Sequence, residues 1–407
     1  MMSPRILLYS HDTYGLGHTE RTLSIGSAIL EREPEAAVLH ITGSPMIQYL
    51  RLPRGMDYVK LPSATKRGPE DYASRNLAIP FDDLLHLRMH LIRTTAEEFQ
   101  PDIFLVDHAP IGMSGEILPT LRALRKSRTR SVLGLRDVLD DPAIVRPLWE
   151  ERRIPEVLRE FYDLILVYGM EEFFDPISEY NLPPDVRRKT RFTGYVHRAR
   201  MVQSISSVQR RLRIPSGPFV LVTVGGGEDA NTILRLVMAA FRQRPLEGFS
   251  AIITIGPMCP DDIRESMIKQ SDERLMITEF IEDLPSVMAA ADLVISMGGY
   301  NSLCELLAYG RRGIVLPRTT PRREQFIRAS FLAERGFVTL MNPGECTPTI
   351  LRDTIEVALA NKSEPLREKR SSVQLDGALR AADHILSLTK EVSTPNLQML
   401  KPSLDLR

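Results

Sequence analysis

The stretch Asp292–Arg335, DLVISMGGYNSLCELLAYGRRGIVLPRTTPRREQFIRASFLAER, decides the fold of this chain. It opens with a short apolar run that is typical of a buried parallel strand. Gly298 and Gly299 then let the backbone approach a ligand closely, and Asn301 and Ser302 are good caps for the helix that follows. Because the amides at a helix N-terminus attract negative charge, this turn predicts a site for an anionic group.

Acidic and polar side chains follow the glycine turn. Glu305 lies one turn into the predicted helix, where a carboxylate would repel a phosphate. It can instead accept hydrogen bonds from two neighbouring ribose hydroxyls. A second strand ends at Pro317, and after a basic loop the next helix carries Glu324 and Gln325. We interpret the stretch as half of a nucleotide-sugar site.

These residues resemble the C-terminal domain of family 28 glycosyltransferases. The resemblance implies that Glu305 binds the ribose and that Gln325, with Glu324 beside it, reads the sugar hydroxyls. It also implies the GT-B fold, an α/β fold in which two Rossmann-like, doubly wound parallel-sheet domains face a cleft. In that fold a last helix, here near 378–388, returns to the first domain.

Composition narrows the class of protein. A chain of 407 residues is expected to form more than one domain, because single cores rarely exceed about 250–300 residues. The formal net charge is +0, which gives no field for binding nucleic acid. No apolar run reaches the roughly 20 residues that cross a bilayer, no signal peptide is visible, and three scattered cysteines predict no disulfide framework. We expect a cytoplasmic protein, with peripheral membrane association as a minor alternative.

Strands and helices alternate along the chain in two series. The first runs from Arg5 to about residue 167, and the second restarts at Phe219. This alternation builds parallel, doubly wound sheets with ligands at the carboxyl ends of the strands. We predict an acceptor-side domain at 1–197, a nucleotide-sugar-binding domain at 198–390 and a polar tail at 391–407.

A glycine-containing loop with His18 follows the first strand and opens a helix. Gly15 and Gly17 allow a tight approach, and a histidine near neutral pH can take a proton from a hydroxyl. The loop resembles the G-G-H loop of family 28, which lies under the donor diphosphate. It is more similar still to the G-x-G-H-x-x-R pattern of nucleotide-sugar hydrolases from nonulosonic-acid pathways, which Arg21 completes. His18, or a carboxylate near it, is the predicted catalytic base.

Two more loops of the second half match the resemblance. Gly225 and Gly226 follow a buried strand and precede a helix, where successive amides can hold phosphate. Gly227 stands where the family has a serine, so a plain structural turn remains an equal alternative there. Phe280 and Ile281 resemble the loop that holds the uracil base, although both also fit a core.

Polar pairs end two strands of the first half. They are Asp107–His108 and Arg136–Asp137, and parallel topology brings both to the same edge of the sheet. We expect them to bind the acceptor or to assist His18, with Asp107 as the second predicted catalytic residue. The arginines of loop 318–323 are expected to offset diphosphate charge as the leaving group departs.

Together these features predict a glycosyltransferase that moves a sugar from a nucleoside diphosphate sugar to a hydroxyl acceptor with inversion. UDP-N-acetylglucosamine is the example favoured as donor, and the acceptor is left open between a glycan, a lipid-linked molecule and a small molecule. We expect no metal ligands and no cofactor besides the donor. Two alternatives remain: a nucleotide-sugar hydrolase, and a non-catalytic nucleotide-sugar-binding subunit.

Overall fold

A computed structural model describes residues 3–11, 17–66, 71–197, 201–227, 229–361 and 371–391. Within these ranges the chain forms two parallel sheets and a small antiparallel hairpin. The strands of the first half are β1 Arg5–Ser10, β2 Ala37–Thr42, β3 Met56–Lys60, β4 Ala64–Lys66, β5 Tyr72–Ser74, β6 Ile103–Asp107, β7 Arg130–Arg136, β8 Leu164–Tyr168 and β9 Thr190–Phe192. Those of the second half are β10 Phe219–Thr223, β11 Ser250–Thr254, β12 Leu275–Thr278, β13 Leu293–Ser296, β14 Arg312–Val315 and β15 Thr339–Leu340.

Helices cover both faces of the sheets. In the first half they are α1 Gly17–Arg32, α2 Phe81–Phe99, α3 Leu118–Leu124, α4 Pro142–Glu151, α5 Ile154–Phe161, α6 Pro176–Glu179 and α7 Pro184–Arg188. The remaining helices are α8 Ile205–Leu212, α9 Asn231–Arg242, α10 Asp261–Ile268, α11 Leu284–Ala290, α12 Tyr300–Tyr309, α13 Glu324–Glu334, α14 Pro348–Ala360 and α15 Gly377–Glu391. None of the helices in the ranges given above is both long and apolar enough to cross a membrane.

The strand order places a ligand site in each sheet. The first sheet runs β3-β2-β1-β6-β7-β8-β9 and the second β12-β11-β10-β13-β14-β15. Both are wound outward from a central pair, β1 with β6 and β10 with β13, and in such sheets ligands bind where the winding reverses. Strands β6, β8 and β10 are buried along their whole length, as expected for parallel strands covered on both faces. This is the predicted α/β architecture.

Several elements differ from the sequence-based prediction. The alternation of strands and helices predicts one helix near 143–161, but the structure has two, because Arg153 adopts a left-handed φ of 54° between α4 and α5. The polar segment 175–191 contains α6 and α7, and the Asp175 carboxylate caps the first of them at the Ile177 amide. Strand β3 and the β4–β5 hairpin were not predicted.

The apolar periodicity of residues 81–99 predicts a helix with a broad apolar face. Helix α2 has these limits, but its buried apolar face is narrower. Leu87 and Leu91 are 42% and 36% exposed. Arg88 is fully buried instead, and its Nε atom donates to Glu116 Oε2 at 2.6 Å. A buried ion pair therefore occupies part of the face where the pattern predicted apolar contacts.

The last helix, α15, packs against α1 of the first half, as the resemblance implied. Ala381, Ala382 and Ile385 are fully buried in that contact layer, and Arg32 Nε lies 2.9 Å from Asp383 Oδ1. The limits of the predicted domains at residue 197 stay a prediction. Of the predicted tail 391–407, only Glu391 lies in the described residues, where it ends α15.

Candidate active site

His18 and Asp107 meet where the winding of the first sheet reverses. His18 is the second residue of α1, and Asp107 is the last residue of β6. The Nδ1 atom of His18 lies 2.7 Å from Asp107 Oδ2. Arg21 Nη2, which can only donate, also lies 2.9 Å from this Nδ1 atom. In the tautomer that carries the proton on Nδ1 and gives it to the Asp107 carboxylate, the lone pair is on Nε2. That atom can act as a proton acceptor.

Arg21 holds the Asp107 carboxylate from the other side. Its Nε atom donates to Oδ1 at 2.9 Å and its Nη2 atom to Oδ2 at 2.5 Å, which is a two-pronged contact. Burial of Asp107, which is 1% exposed, favours its neutral form, but Arg21 and His18 outweigh burial and hold the pKa of this carboxyl well below its usual range. Asp107 is thus an anion that orients His18 and can stabilise its protonated form.

Two more histidines flank His18. The ring centres of His11 and His108 lie 5.0 and 4.9 Å from that of His18. His108 has a left-handed φ of 70°, and Arg136 Nη2 lies 3.2 Å from its Nε2 atom. Burial, and then the positive charge of Arg136, hold the pKa of His108 well below its usual value. His108 is therefore a neutral imidazole next to a guanidinium.

A cleft of about 220 Å³ lies at the corresponding edge of the second sheet. Its walls come from the ends of β10 and β13, from the start of α12 and from the segment between β14 and α13. The residues that line it are Thr223, Val224, Gly225, Gly226, Gly227, Asp229, Met258, Met297, Gly299, Ser302, Arg318 and Gln325.

Glycines give the cleft its shape. Gly225, Gly227 and Gly298 have φ angles of 66°, 90° and 77°, in the region that side chains other than glycine rarely adopt. A Cβ atom on Gly227 would lie 2.1 Å from the Ile255 carbonyl oxygen. The third glycine of this loop is therefore required by the backbone.

Arg318 brings positive charge into the cleft and is held by two carboxylates. Its guanidinium donates to Glu324 Oε1 at 2.7 Å through Nη2 and to Asp229 through Nη1. Its backbone amide donates to Gln325 Oε1 at 3.1 Å. Burial of Glu324 opposes ionisation, but Arg318, Arg136 and Arg328 together lower the pKa of this carboxyl.

Tyr300 and Asn301, at the start of α12, join the two halves of the site. The Asn301 side-chain amide donates to the Gly17 carbonyl oxygen at 3.3 Å. The Tyr300 hydroxyl donates to the Tyr168 carbonyl at 3.0 Å and accepts from the Val196 amide at 2.9 Å. Helix α12, which begins at the cleft of the second sheet, thus contacts α1, the helix that carries His18.

A buried ion pair makes a second connection. Arg328 on α13 donates to Asp137 Oδ1 at 2.9 Å through Nε and at 2.8 Å through Nη2, and both side chains are 1% exposed. Next to this pair, the Arg323 amide donates to Asp140 Oδ1 at 2.8 Å. Asp137, predicted as a candidate for acceptor binding, is therefore bonded to the opposite domain.

Comparison with protein families decides the class of the second half. Residues 219–385 match the model of the glycosyltransferase family 28 C-terminal domain. The match confirms the likeness of this part of the chain to family 28.

Several curated relatives of this chain carry the name UDP-N-acetylglucosamine–N-acetylmuramyl-(pentapeptide) pyrophosphoryl-undecaprenol N-acetylglucosamine transferase. The protein from Acetivibrio thermocellus is 23% identical over 92% of this chain and 95% of its own length. That from Rhodopseudomonas palustris strain HaA2 is 28% identical over 52% of this chain and 58% of its own length. The chain thus spans little more than half of some relatives and nearly all of others.

Solved structures give the same fold. The crystal structure of MurG from Acinetobacter baumannii covers 94% of this chain and all of its own chain, with a TM-score of 0.57 at 15% identity. The glycotransferase of kitacinnamycin covers 95% of this chain and 99% of its own, with a TM-score of 0.64 at 17% identity. The predicted GT-B fold and the likeness to family 28 are confirmed.

The remaining predicted residues that the structure describes are not among those that line the cleft. Phe280 is 58% exposed and Ile281 is buried, and both lie between β12 and α11. Glu305 lies one turn into α12, beyond Ser302. Gly298 is the turn residue behind Gly299, and Gly15 falls outside the described residues. The roles predicted for these residues stay predictions.

Sequence reasoning missed two features of the site. It matched Arg21 to a motif but did not predict that Arg21 holds Asp107. The spacing was a usable signal, because residues three apart share a helix face and Arg21 follows His18 by three. It also missed Tyr300, which has no local pattern that distinguishes it from a core aromatic residue.

Proposed function

We propose that this protein is a glycosyltransferase that moves a sugar from a UDP-sugar, such as UDP-N-acetylglucosamine, to the hydroxyl group of an acceptor. The observation that carries the proposal is the contact between Asn301 and Gly17, because it brings the edge of the donor cleft next to the His18–Asp107 pair. A base on one domain and an anion cleft on the other are the two parts that a sugar transfer needs.

The donor half accounts for the leaving group. The glycine loop at Gly225–Gly227 and the N-terminus of α12 supply backbone amides, and Arg318 supplies a cation in the same cleft. Fixed donors and charges of this kind stabilise the negative charge that develops on a departing diphosphate. We propose UDP as the nucleotide because the curated relatives are named for UDP-N-acetylglucosamine.

The acceptor half accounts for the nucleophile. His18 Nε2 takes the proton of the acceptor hydroxyl while the oxygen bonds to the anomeric carbon of the sugar. The bond between that carbon and the diphosphate oxygen breaks in the same step, and its electron pair leaves with UDP. Asp107 stabilises the imidazolium that forms. One displacement inverts the configuration at the anomeric carbon.

The names of the relatives support an acceptor class, and the lipid in those names supports a location at a membrane. Their names specify a pyrophosphoryl-undecaprenol sugar as acceptor. We therefore propose a lipid-linked hydroxyl acceptor, met at the cytoplasmic face of a membrane, as the first class to test.

A donor screen by mass spectrometry tests the proposal. Purified protein is incubated with UDP-, GDP- and dTDP-sugars, without acceptor and then with a panel of hydroxyl acceptors. We expect one UDP-sugar to bind tightly, to turn over slowly alone and to be consumed quickly with the right acceptor. His18→Gln should bind this donor as the wild type does and lose the transfer.

The other outcomes identify the alternatives. Rapid release of free sugar without acceptor would identify a nucleotide-sugar hydrolase, for which the Gly17–His18–Arg21 pattern is the supporting observation. Donor binding without turnover under any condition would identify a non-catalytic subunit. Transfer that survives in His18→Gln would contradict the assignment of the base.

A further inference from the structure

Arg136, the last residue of β7, has no counter-ion among the residues that the structure describes. It contacts the His108 imidazole at 3.2 Å, and in the described part of the chain it forms no ion pair. Its Nε atom is sealed from solvent and has no acceptor there. Buried polar groups in folded proteins are nearly always hydrogen-bonded, so this donor calls for an explanation.

Three described carboxylates of the region are bonded to other arginines, although Glu324 Oε2 itself has no hydrogen-bond partner among the described residues. Asp107 is held by Arg21, Asp137 by Arg328, and Glu324 by Arg318.

The charges around Arg136 are unfavourable to it. Burial, followed by the cations Arg21 and Arg328, lowers the pKa of Arg136 to about 9, and Glu324 opposes this shift without bonding to the guanidinium. Arg136 thus stays charged at neutral pH, in surroundings with an excess of positive charge.

His108 adds a second donor without an acceptor. An arginine can only donate, so the contact with Arg136 makes His108 Nε2 the acceptor and assigns the ring proton to Nδ1. That Nδ1 atom is also sealed from solvent and has no partner among the residues the structure describes. The residue is held in a left-handed conformation, with φ at 70°, a feature that is concentrated at functional sites.

We propose that Arg136 and His108 form an anion site that binds a phosphate or carboxylate group of the acceptor, beside the hydroxyl that His18 deprotonates. The proposal rests on the proposed function and names the acceptor class of the same site. An anion supplies the missing counter-charge and accepts hydrogen bonds from a guanidinium. Because the ring centres of His18 and His108 are 4.9 Å apart, the bound anion lies next to the base.

Titration of inorganic phosphate, and separately of acetate, into protein saturated with UDP tests the site. UDP fills the phosphate positions of the second domain, so any remaining anion binding reports another site. The readouts are isothermal titration calorimetry and the rise in melting temperature, with sodium chloride at matched ionic strength as the reference. The anion that binds more tightly indicates the group that the acceptor carries.

The variants are chosen to separate charge from position. Arg136→Gln should weaken phosphate binding at least about tenfold, because hydrogen bonds to charged groups are the strong ones. Arg136→Lys keeps the positive charge but lacks the planar guanidinium that can donate two parallel hydrogen bonds. Its affinity for phosphate should lie between those of Arg136→Gln and the wild type. Arg93→Gln, which removes an exposed arginine paired with Glu97 on α2, is the matched control and should bind like the wild type.

Two results would overturn the proposal: equal phosphate affinity in wild type and Arg136→Gln, or no phosphate binding to the UDP-loaded wild type. Unfolding is a separate readout, because removal of an uncompensated cation should not lower the melting temperature in phosphate-free buffer. Failure of the proposed function is also distinguishable. It would appear as absent UDP binding, and the phosphate comparison can then be made without UDP.

Discussion

The ring of Tyr300 lies against the guanidinium of Arg21, with 5.4 Å between the guanidinium carbon and the ring centre. The guanidinium carbon of Arg328 lies 5.5 Å from the centre of the same ring. Each of these arginines holds an aspartate of the first domain, Asp107 or Asp137. Tyr300 belongs to the second domain and directly follows the donor glycines, so one side chain links the donor turn to the residue that orients the base.

Substitutions at Tyr300 should separate the role of its hydroxyl from that of its ring. Tyr300→Phe leaves the Val196 amide without an acceptor, so we expect a loss of about 1–3 kcal/mol in the free energy of unfolding with nearly unchanged turnover. Tyr300→Leu also removes the ring from Arg21 and should lower kcat. Urea denaturation and steady-state kinetics measure the two effects, and Tyr49→Phe on the surface is the control. Loss of turnover in Tyr300→Phe would show that catalysis depends on the hydroxyl of Tyr300 and not on its ring alone.

Local patterns predicted the elements well. Gly310 ends α12 at Tyr309 in a left-handed conformation, as the sequence suggested, and the limits of α2 follow from its periodicity and from Pro101. Both signals lie within a few residues of the feature that they determine.

Contacts between distant residues could not be predicted from such patterns. Asp107 is bonded to an arginine 86 positions away, and Asp137 to one 191 positions away. In the sequence, Arg88 only interrupts an apolar pattern, and its partner Glu116 becomes visible in the folded structure. The identities of the site residues were thus within reach of the sequence, whereas their ionic partners depend on the packing of the sheets and of the two halves.

The Asp107 carboxyl should make the protein less stable in acid. Its pKa is lower in the folded protein than the unfolded value of about 3.9. Above that value Asp107 is ionised in both states, so its contribution is fully present at neutral pH. As the pH falls below about 4, the unfolded chain binds a proton that the folded protein does not, and the contribution is lost.

Urea denaturation between pH 7 and pH 3 measures this loss, with Asp107→Asn as the comparison. The variant should be less stable at pH 7 by about 3–5 kcal/mol, because it leaves Arg21 buried without its partner. It should also lose less stability than the wild type toward pH 3. Parallel curves for the two proteins would show that Asp107 does not carry the acid sensitivity.

The glycine loop of the donor cleft should tolerate alanine at one position better than at another. Gly225 and Gly227 both have left-handed φ angles, which cost a residue with a Cβ about 1–2 kcal/mol. A Cβ at Gly225 meets open space, whereas one at Gly227 overlaps the Ile255 carbonyl. Gly227→Ala should therefore reduce the free energy of unfolding by about 1–3 kcal/mol more than Gly225→Ala does.

Thermal and urea denaturation of the two alanine variants compare these costs directly. Gly227→Ser restores the residue that family 28 is expected to have at this position and should behave like Gly227→Ala. Gly299→Ala is the control for the cleft, because Gly299 has an ordinary φ of −59° and open space at its Cβ. It should keep the wild-type stability. Equal losses in the free energy of unfolding for Gly225→Ala and Gly227→Ala would mean that the Ile255 carbonyl moves aside.

Arg318 should determine affinity for the diphosphate and not for the nucleoside. Its guanidinium lines the donor cleft, where Glu324 and Asp229 fix its position. Arg318→Gln should weaken UDP binding by about 10–100-fold, since it removes charge-assisted hydrogen bonds to phosphate, and should leave uridine binding close to that of the wild type. Calorimetric titration with both ligands makes the comparison, and Arg235→Gln on the exposed face of α9 controls for the change in net charge. If UDP and uridine lose affinity equally, the substitution has disturbed the cleft as a whole, because an arginine that acts on phosphate alone cannot weaken a ligand that has none.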